Sequence, residues 1–99
     1  MFTGFVSKIS EAGISLTATI TPLSDLIRVT STVTTTVLAT ITPPFAGFSG
    51  ITFIANLSGG NITTTTTGNI QSAVTIPNNL ITIFVYSQSL GKYIAGPIS

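Results

Sequence analysis

Residues 51–95 read ITFIANLSGGNITTTTTGNIQSAVTIPNNLITIFVYSQSLGKYIA, with no charged side chain before Lys92. Apolar runs of strand length alternate with Gly, Asn and Pro clusters, so the stretch is a series of short β-strands separated by turns. Ser58-Gly59-Gly60-Asn61 tolerates positive φ and predicts a hairpin between strands at 51–57 and 62–67. Residues 72–77 form a further short extended segment, and Pro77-Asn78-Asn79 the turn after it. Residues 80–86 and 92–95 then form a second hairpin across residues 87–91. In it Phe84 and Tyr86 share one face and Ile81, Ile83 and Val85 the other, which predicts a central strand buried on both sides.

Working back from that block, the same grammar holds. Residues 14–21 alternate strictly, with Ile14, Leu16, Ala18 and Ile20 on one face and Ser15, Thr17, Thr19 and Thr21 on the other. Pro22 ends that strand, and Leu26 to Thr30 resumes extended structure, where Arg28 would discourage open-ended pairing near a sheet edge. Between Thr30 and Thr42 the odd positions Val33, Val37, Ala39 and Ile41 stay apolar, so two strands with a turn near residues 31–35 are expected. Residues 43–50, PPFAGFSG, form a loop whose prolines stop pairing. Its Phe45 and Phe48 either fold back over the domain or dock into a partner.

The first twelve residues are an N-terminal arm or closing segment, and residues 13–99 the single β domain. Phe2, Phe5, Val6 and Ile9 are spaced for one amphipathic turn. An extended arm on a neighbouring subunit, or a segment closing the domain's own core, fits them equally.

Composition narrows the class. A chain of 99 residues without cysteine has a thin core and no disulfide or thiolate metal site to supplement it. Only Lys8, Glu11, Asp25, Arg28 and Lys92 are ionised, so self-repulsion is slight and association is favoured. No run of about 20 apolar residues exists to span a membrane as a helix, and Lys8 lies after the apolar residues that a secretory leader would place behind its charges. No membrane partner is expected.

Catalysis is poorly provided for. With neither histidine nor cysteine, a serine or threonine nucleophile would depend on Lys8, Lys92 or one of two carboxylates. Metal and cofactor sites lack their ligands, and three separated cations make no nucleic-acid stripe. Thr63, Thr65 and Thr67 would present hydroxyls and methyls at intervals of about 7 Å on a strand. One short rank is too little for an ice-binding face, so pairing within a sheet or across a subunit interface is the expectation. The sequons at Asn56 and Asn61 are coincidental in so Thr-rich a chain.

Gly59-Gly60-Asn61-Ile62, Gly68-Asn69-Ile70 with Ala73, the strand 80–86 and the closing Gly91-Lys92-Tyr93 together resemble the C-terminal part of small bacteriophage virion proteins, including head decoration and fibre-associated modules. Ser87-Gln88-Ser89 stands where that pattern commonly has Asp-Gly, and Tyr93 where it has tryptophan. The resemblance implies an all-β fold, a single antiparallel β-sandwich or jelly-roll-like domain with short strands. It also implies a non-enzymatic capsid decoration or cement protein, made in the host cytoplasm and carried in the virion. Its partners would be the major capsid protein and further copies of itself, a trimer being favoured. The expected contacts are Phe2, Phe5, Phe45, Phe48, Thr63, Thr65 and Thr67. A tail or fibre module touching a host receptor or glycan through residues 87–91 is the alternative, and a secreted adhesin or ice-binding protein a second.

Overall fold

The structure is a computed structural model, and it describes residues 10–22, 24–32 and 36–96. The expectations for the N-terminal arm, Phe2 and Phe5 included, and for Val33 lie outside these residues. Ten strands follow one another: β1 (Glu11–Leu16), β2 (Thr19–Ile20), β3 (Leu26–Thr32), β4 (Val37–Leu38), β5 (Thr40–Ile41), β6 (Gly50–Asn56), β7 (Ile62–Thr64), β8 (Thr75–Ile76), β9 (Ile81–Ser87) and β10 (Lys92–Ala95). Among the described residues there is no helix, as the Thr- and Ile-rich, β-branched composition predicts.

The strands form a five-stranded sheet in the order β1-β3-β6-β9-β10, a two-stranded sheet β2-β5 and a three-stranded sheet β4-β7-β8. Pairing is mixed, which corrects the antiparallel expectation. β1 with β3, β3 with β6, β2 with β5 and β4 with β7 are parallel. β6 with β9, β9 with β10 and β7 with β8 are antiparallel. The physical reason lies in the connections. β1 and β3 each lead out through short strands of the small sheets and the chain re-enters the large sheet in the same direction, so β1, β3 and β6 run parallel, whereas after β7 and β8 it re-enters from the opposite end and β9 runs antiparallel to β6. Only the last two strands of the large sheet are joined by a tight turn, with Gly91 at φ 68° and its N–H donating to the Ser87 carbonyl.

Two local expectations change accordingly. The alternating run 14–21 is not one strand: it breaks at Thr17 and Ala18, where the Ala18 carbonyl accepts the N–H groups of Ala39 and Thr40. Leu16 and Ile20 are nevertheless both buried, because the alternation carries through the break while the chain changes sheets. Likewise residues 58–61 make no hairpin. β6 and β7 belong to different sheets, and the glycines turn the chain from one to the other.

One core joins the three sheets: Leu16, Ile27, Val29, Ile54, Phe84 and Tyr93 from the large sheet meet Ile20, Leu38, Ile41, Ile62 and Ile76 from the small ones, with Ile70 between. β9 is buried on one face only, which corrects the expectation of a strand covered on both sides. Thr82 and Phe84 face the core, whereas Ile81, Ile83 and Val85 face outward. The central strand is β6. On the outer face Ile94, Val85 and Ile51 form one rank, Ile83, Phe53 and Leu26 a second, and Ile81, Ala55 and Arg28 a third. Ile51, Ile81, Ile83, Val85 and Ile94 are 40–55% exposed there.

Candidate functional site

The loop between β5 and β6 separates its two phenylalanines. Phe48 turns inward, and Gly50 makes room for it, since a Cβ at residue 50 would sit 2.8 Å from the Phe48 ring. Phe45 stays 63% exposed. Its ring meets Phe48 edge-on at 5.5 Å, Phe48 lies 6.0 Å from Tyr86, and Tyr86 lies 4.9 Å from the buried Tyr93. A file of four rings thus runs from the surface into the core, and such contacts hold an exposed aromatic in a defined place. Beside Phe45 opens a cleft of about 360 Å³ lined by Pro22, Asp25, Pro44, Phe48 and Thr52 among others. Asp25 and Ser10 of its lining are tied together: the Ser10 N–H and hydroxyl both lie 3.3 Å from the carboxylate, and the Asp25 N–H donates to Ser10 Oγ at 3.0 Å.

The threonine run does not form the expected ladder. β7 stops at Thr64, and the chain then turns at Thr66 and Thr67. Thr63 and Thr67 are exposed, Thr65 is half-buried, and Thr64 is buried, its hydroxyl donating to the Ser72 carbonyl and accepting from the Val74 N–H. These threonines therefore serve two environments, Thr64 within the core and Thr63 and Thr67 at the surface. Arg28 and Glu11 pair at 2.7 Å on the outer face, the guanidinium lying across Gly13. Both are well exposed, so the pair adds little stability.

Residues to which sequence reasoning assigned no such role organise the connections. Asn56 is wholly buried; its Nδ2 donates to the Gly60 and Ile76 carbonyls at 2.7 and 2.8 Å, and its Oδ1 accepts from the Ser58 N–H and hydroxyl. With both amide hydrogens engaged, its sequon is closed to glycosylation in the folded protein. Asn69 presents its side-chain amide to β5 like a strand neighbour, accepting from the Ile41 N–H at 2.9 Å and donating to the Ile41 carbonyl at 2.6 Å. An asparagine ending an apolar strand just before Ser-Gly-Gly is the signal that could have flagged Asn56.

Tyr93 is the titratable group the fold perturbs. Burial, which leaves the hydroxyl without a hydrogen-bond partner among the described residues, raises its pKa above the ordinary value near 10; the neighbouring Thr52 side chain lowers it somewhat, and Tyr86 adds to the rise. A phenol whose folded-state pKa is raised leaves stability intact below pH 10, and stability is lost as pH climbs through 10 toward the folded value. Tyr93→Phe should therefore lower Tm at neutral pH only slightly. Between pH 9 and 11 its Tm should fall less than that of the parent, a difference read by thermal melts monitored in the far-ultraviolet.

Among the described residues no three His, Cys, Asp or Glu side chains gather where a metal could bind, and no helix is long and apolar enough to cross a membrane. No protein-family model matches the chain, and no curated protein does. A solved structure titled "Structure of a chaperone-substrate complex" is similar in fold, with a TM-score of 0.57 at 21% identity. The likeness covers 81% of this chain and 14% of that one, so the fold recurs there within a much longer polypeptide.

Proposed function

We propose that this chain is a non-enzymatic structural protein of a virion, a β-sandwich capsid decoration protein that binds the major capsid shell through the corner carrying Phe45. The observation that carries the reading is that ring: a large apolar side chain, 63% exposed at the lip of a cleft and backed by three further aromatics. A pre-placed aromatic loses little conformational freedom on docking, and central aromatic anchors dominate many interfaces. Repetition on a symmetric shell multiplies a weak contact into stable occupancy.

Phe45→Ser should reduce occupancy on particles at least about tenfold, the equivalent of roughly 1.4 kcal/mol per contact, with Tm unchanged. Phe48→Ser should lower Tm as well, because Phe48 packs on the core. Full occupancy by a folded Phe45→Ser protein would remove this corner from the interface.

A second reading is a module of a tail or fibre that touches a host receptor or glycan through the exposed turn at residues 87–91, where Leu90 is 56% exposed. Gold-labelled antibody on particles in the electron microscope separates the two, since label on the head supports decoration and label on the tail supports the fibre module.

A further inference from the structure

The outer face of the large sheet has the makeup of an interior. Ile51, Phe53, Ala55, Ile81, Ile83, Val85 and Ile94 supply it, and none has a polar side-chain atom. A nucleic acid or a glycan would find no side-chain hydrogen-bond partner at these positions. Among the described residues, charge near this face stands at its border, where Arg28 is neutralised by Glu11 and Lys92 sits one register step beyond Ile94 toward the turn. The occupant this chemistry fits is another flat, uncharged, β-branched sheet surface.

We propose that this face packs against the same face of a second copy, forming a two-fold dimer that buries the outer ranks of β6, β9 and β10. Three observations select a copy of this chain. First, a net charge of +1 sets almost no repulsion against self-association. Second, the two most apolar strands are antiparallel neighbours with matched ranks: Ile51 beside Val85, Phe53 beside Ile83, Ala55 beside Ile81. A two-fold axis between them lays one copy's β6 over its partner's β9, so each rank meets its own counterpart, as an isologous contact requires. Third, the area suits a weak, reversible pair. Three strands at about 4.8 Å and seven residues at about 3.4 Å give a footprint of roughly 340 Å² a side. That is about 6% of the 5534 Å² surface, below the roughly 800 Å² a side of a standard interface.

A footprint at the low end makes the dimer weak, with Kd on the order of 10–100 μM. A face meeting itself makes pairs; a three-fold ring would need a different patch on each neighbour. The inference is independent of the capsid reading, because it is tested without particles.

Sedimentation equilibrium of the full chain should show monomer at about 1 μM and dimer at about 500 μM subunit. Ile83→Glu, at an exposed position, should remain monomeric across the range with its far-ultraviolet spectrum and Tm preserved. Val85→Lys provides a second substitution of opposite charge and should do the same. If either variant loses Tm, the other decides. Parent protein that stays monomeric at 500 μM, forms trimers, or dimerises equally well with both substitutions would overturn the proposal. Phe45→Ser should leave the dimer intact, so a lost particle contact and a lost dimer are separately visible.

Discussion

Asn56→Ala should cost about 3–4 kcal/mol, close to the limit of what a domain of this size can lose and stay folded. The substitution removes four hydrogen bonds at once and takes the Nδ2 donor from the buried side of the Ile76 carbonyl, while the Gly60 carbonyl keeps only the Ser58 hydroxyl at 3.2 Å. Each buried acceptor left unpaired costs about 1–3 kcal/mol, whereas an ordinary exposed bond would cost far less. At roughly 4–8 °C per kcal/mol, Tm should fall by more than about 12 °C. The isosteric Asn56→Asp separates shape from chemistry. It keeps an acceptor for Ser58 but has no Nδ2 to donate, so it should lose at least as much at neutral pH. Urea melts of both variants read the effect, and an Asp variant as stable as the parent would contradict the assignment of Nδ2.

Gly68→Ala should be comparably severe, by about 3–5 kcal/mol, for a steric reason. A Cβ at residue 68 would overlap the Ala39 carbonyl oxygen and Thr40 Oγ1. Ala39 is held there by its own N–H bond to Ala18, so the backbone cannot yield without disturbing the β2-β5 sheet. Forcing an atom into such a contact costs about 1–3 kcal/mol. Displacing the chain also breaks the paired amide contacts of Asn69 with Ile41, at about 1 kcal/mol each. The same segment reaches the other way, the Asn69 carbonyl accepting from the Tyr93 N–H and the Gln71 N–H donating to the Tyr93 carbonyl. Residues 68–71 therefore tie a small sheet to the edge of the large one. Gly60→Ala is the control, since nothing lies within 4 Å of a Cβ there, and its stability should stay within about 1 kcal/mol of the parent.

The strands themselves were readable wherever alternation was strong. β3, β6, β9 and β10 fall within a residue or two of where the pattern puts them, because a two-residue period with Thr and Ile suits little else. Sheet membership was not readable, since period two is the same whether a strand pairs with its neighbour in sequence or crosses to another sheet. That is why residues 58–61 read as a hairpin turn and residues 14–21 as one strand. Nor could Phe45 be told from Phe48. The difference rests on Gly50, whose missing side chain matters only once the Phe48 ring is placed over it. Thr63, Thr65 and Thr67 looked like one rank because a straight strand was assumed through a segment that turns at Thr66.

From the sequence alone follow an all-β chain, its turns, its near absence of charge and its lack of histidine and cysteine. These depend on local geometry and on which atoms are present, and neither changes with the partners a strand finds. The tertiary structure decided which side of β9 is covered. With Ile81, Ile83 and Val85 on one face and Phe84 and Tyr86 on the other, both faces carry large apolar side chains, and local pattern cannot rank them. Burial went to the face that looks toward the small sheets, because there, among the described residues, the chain brings a second surface to exclude water.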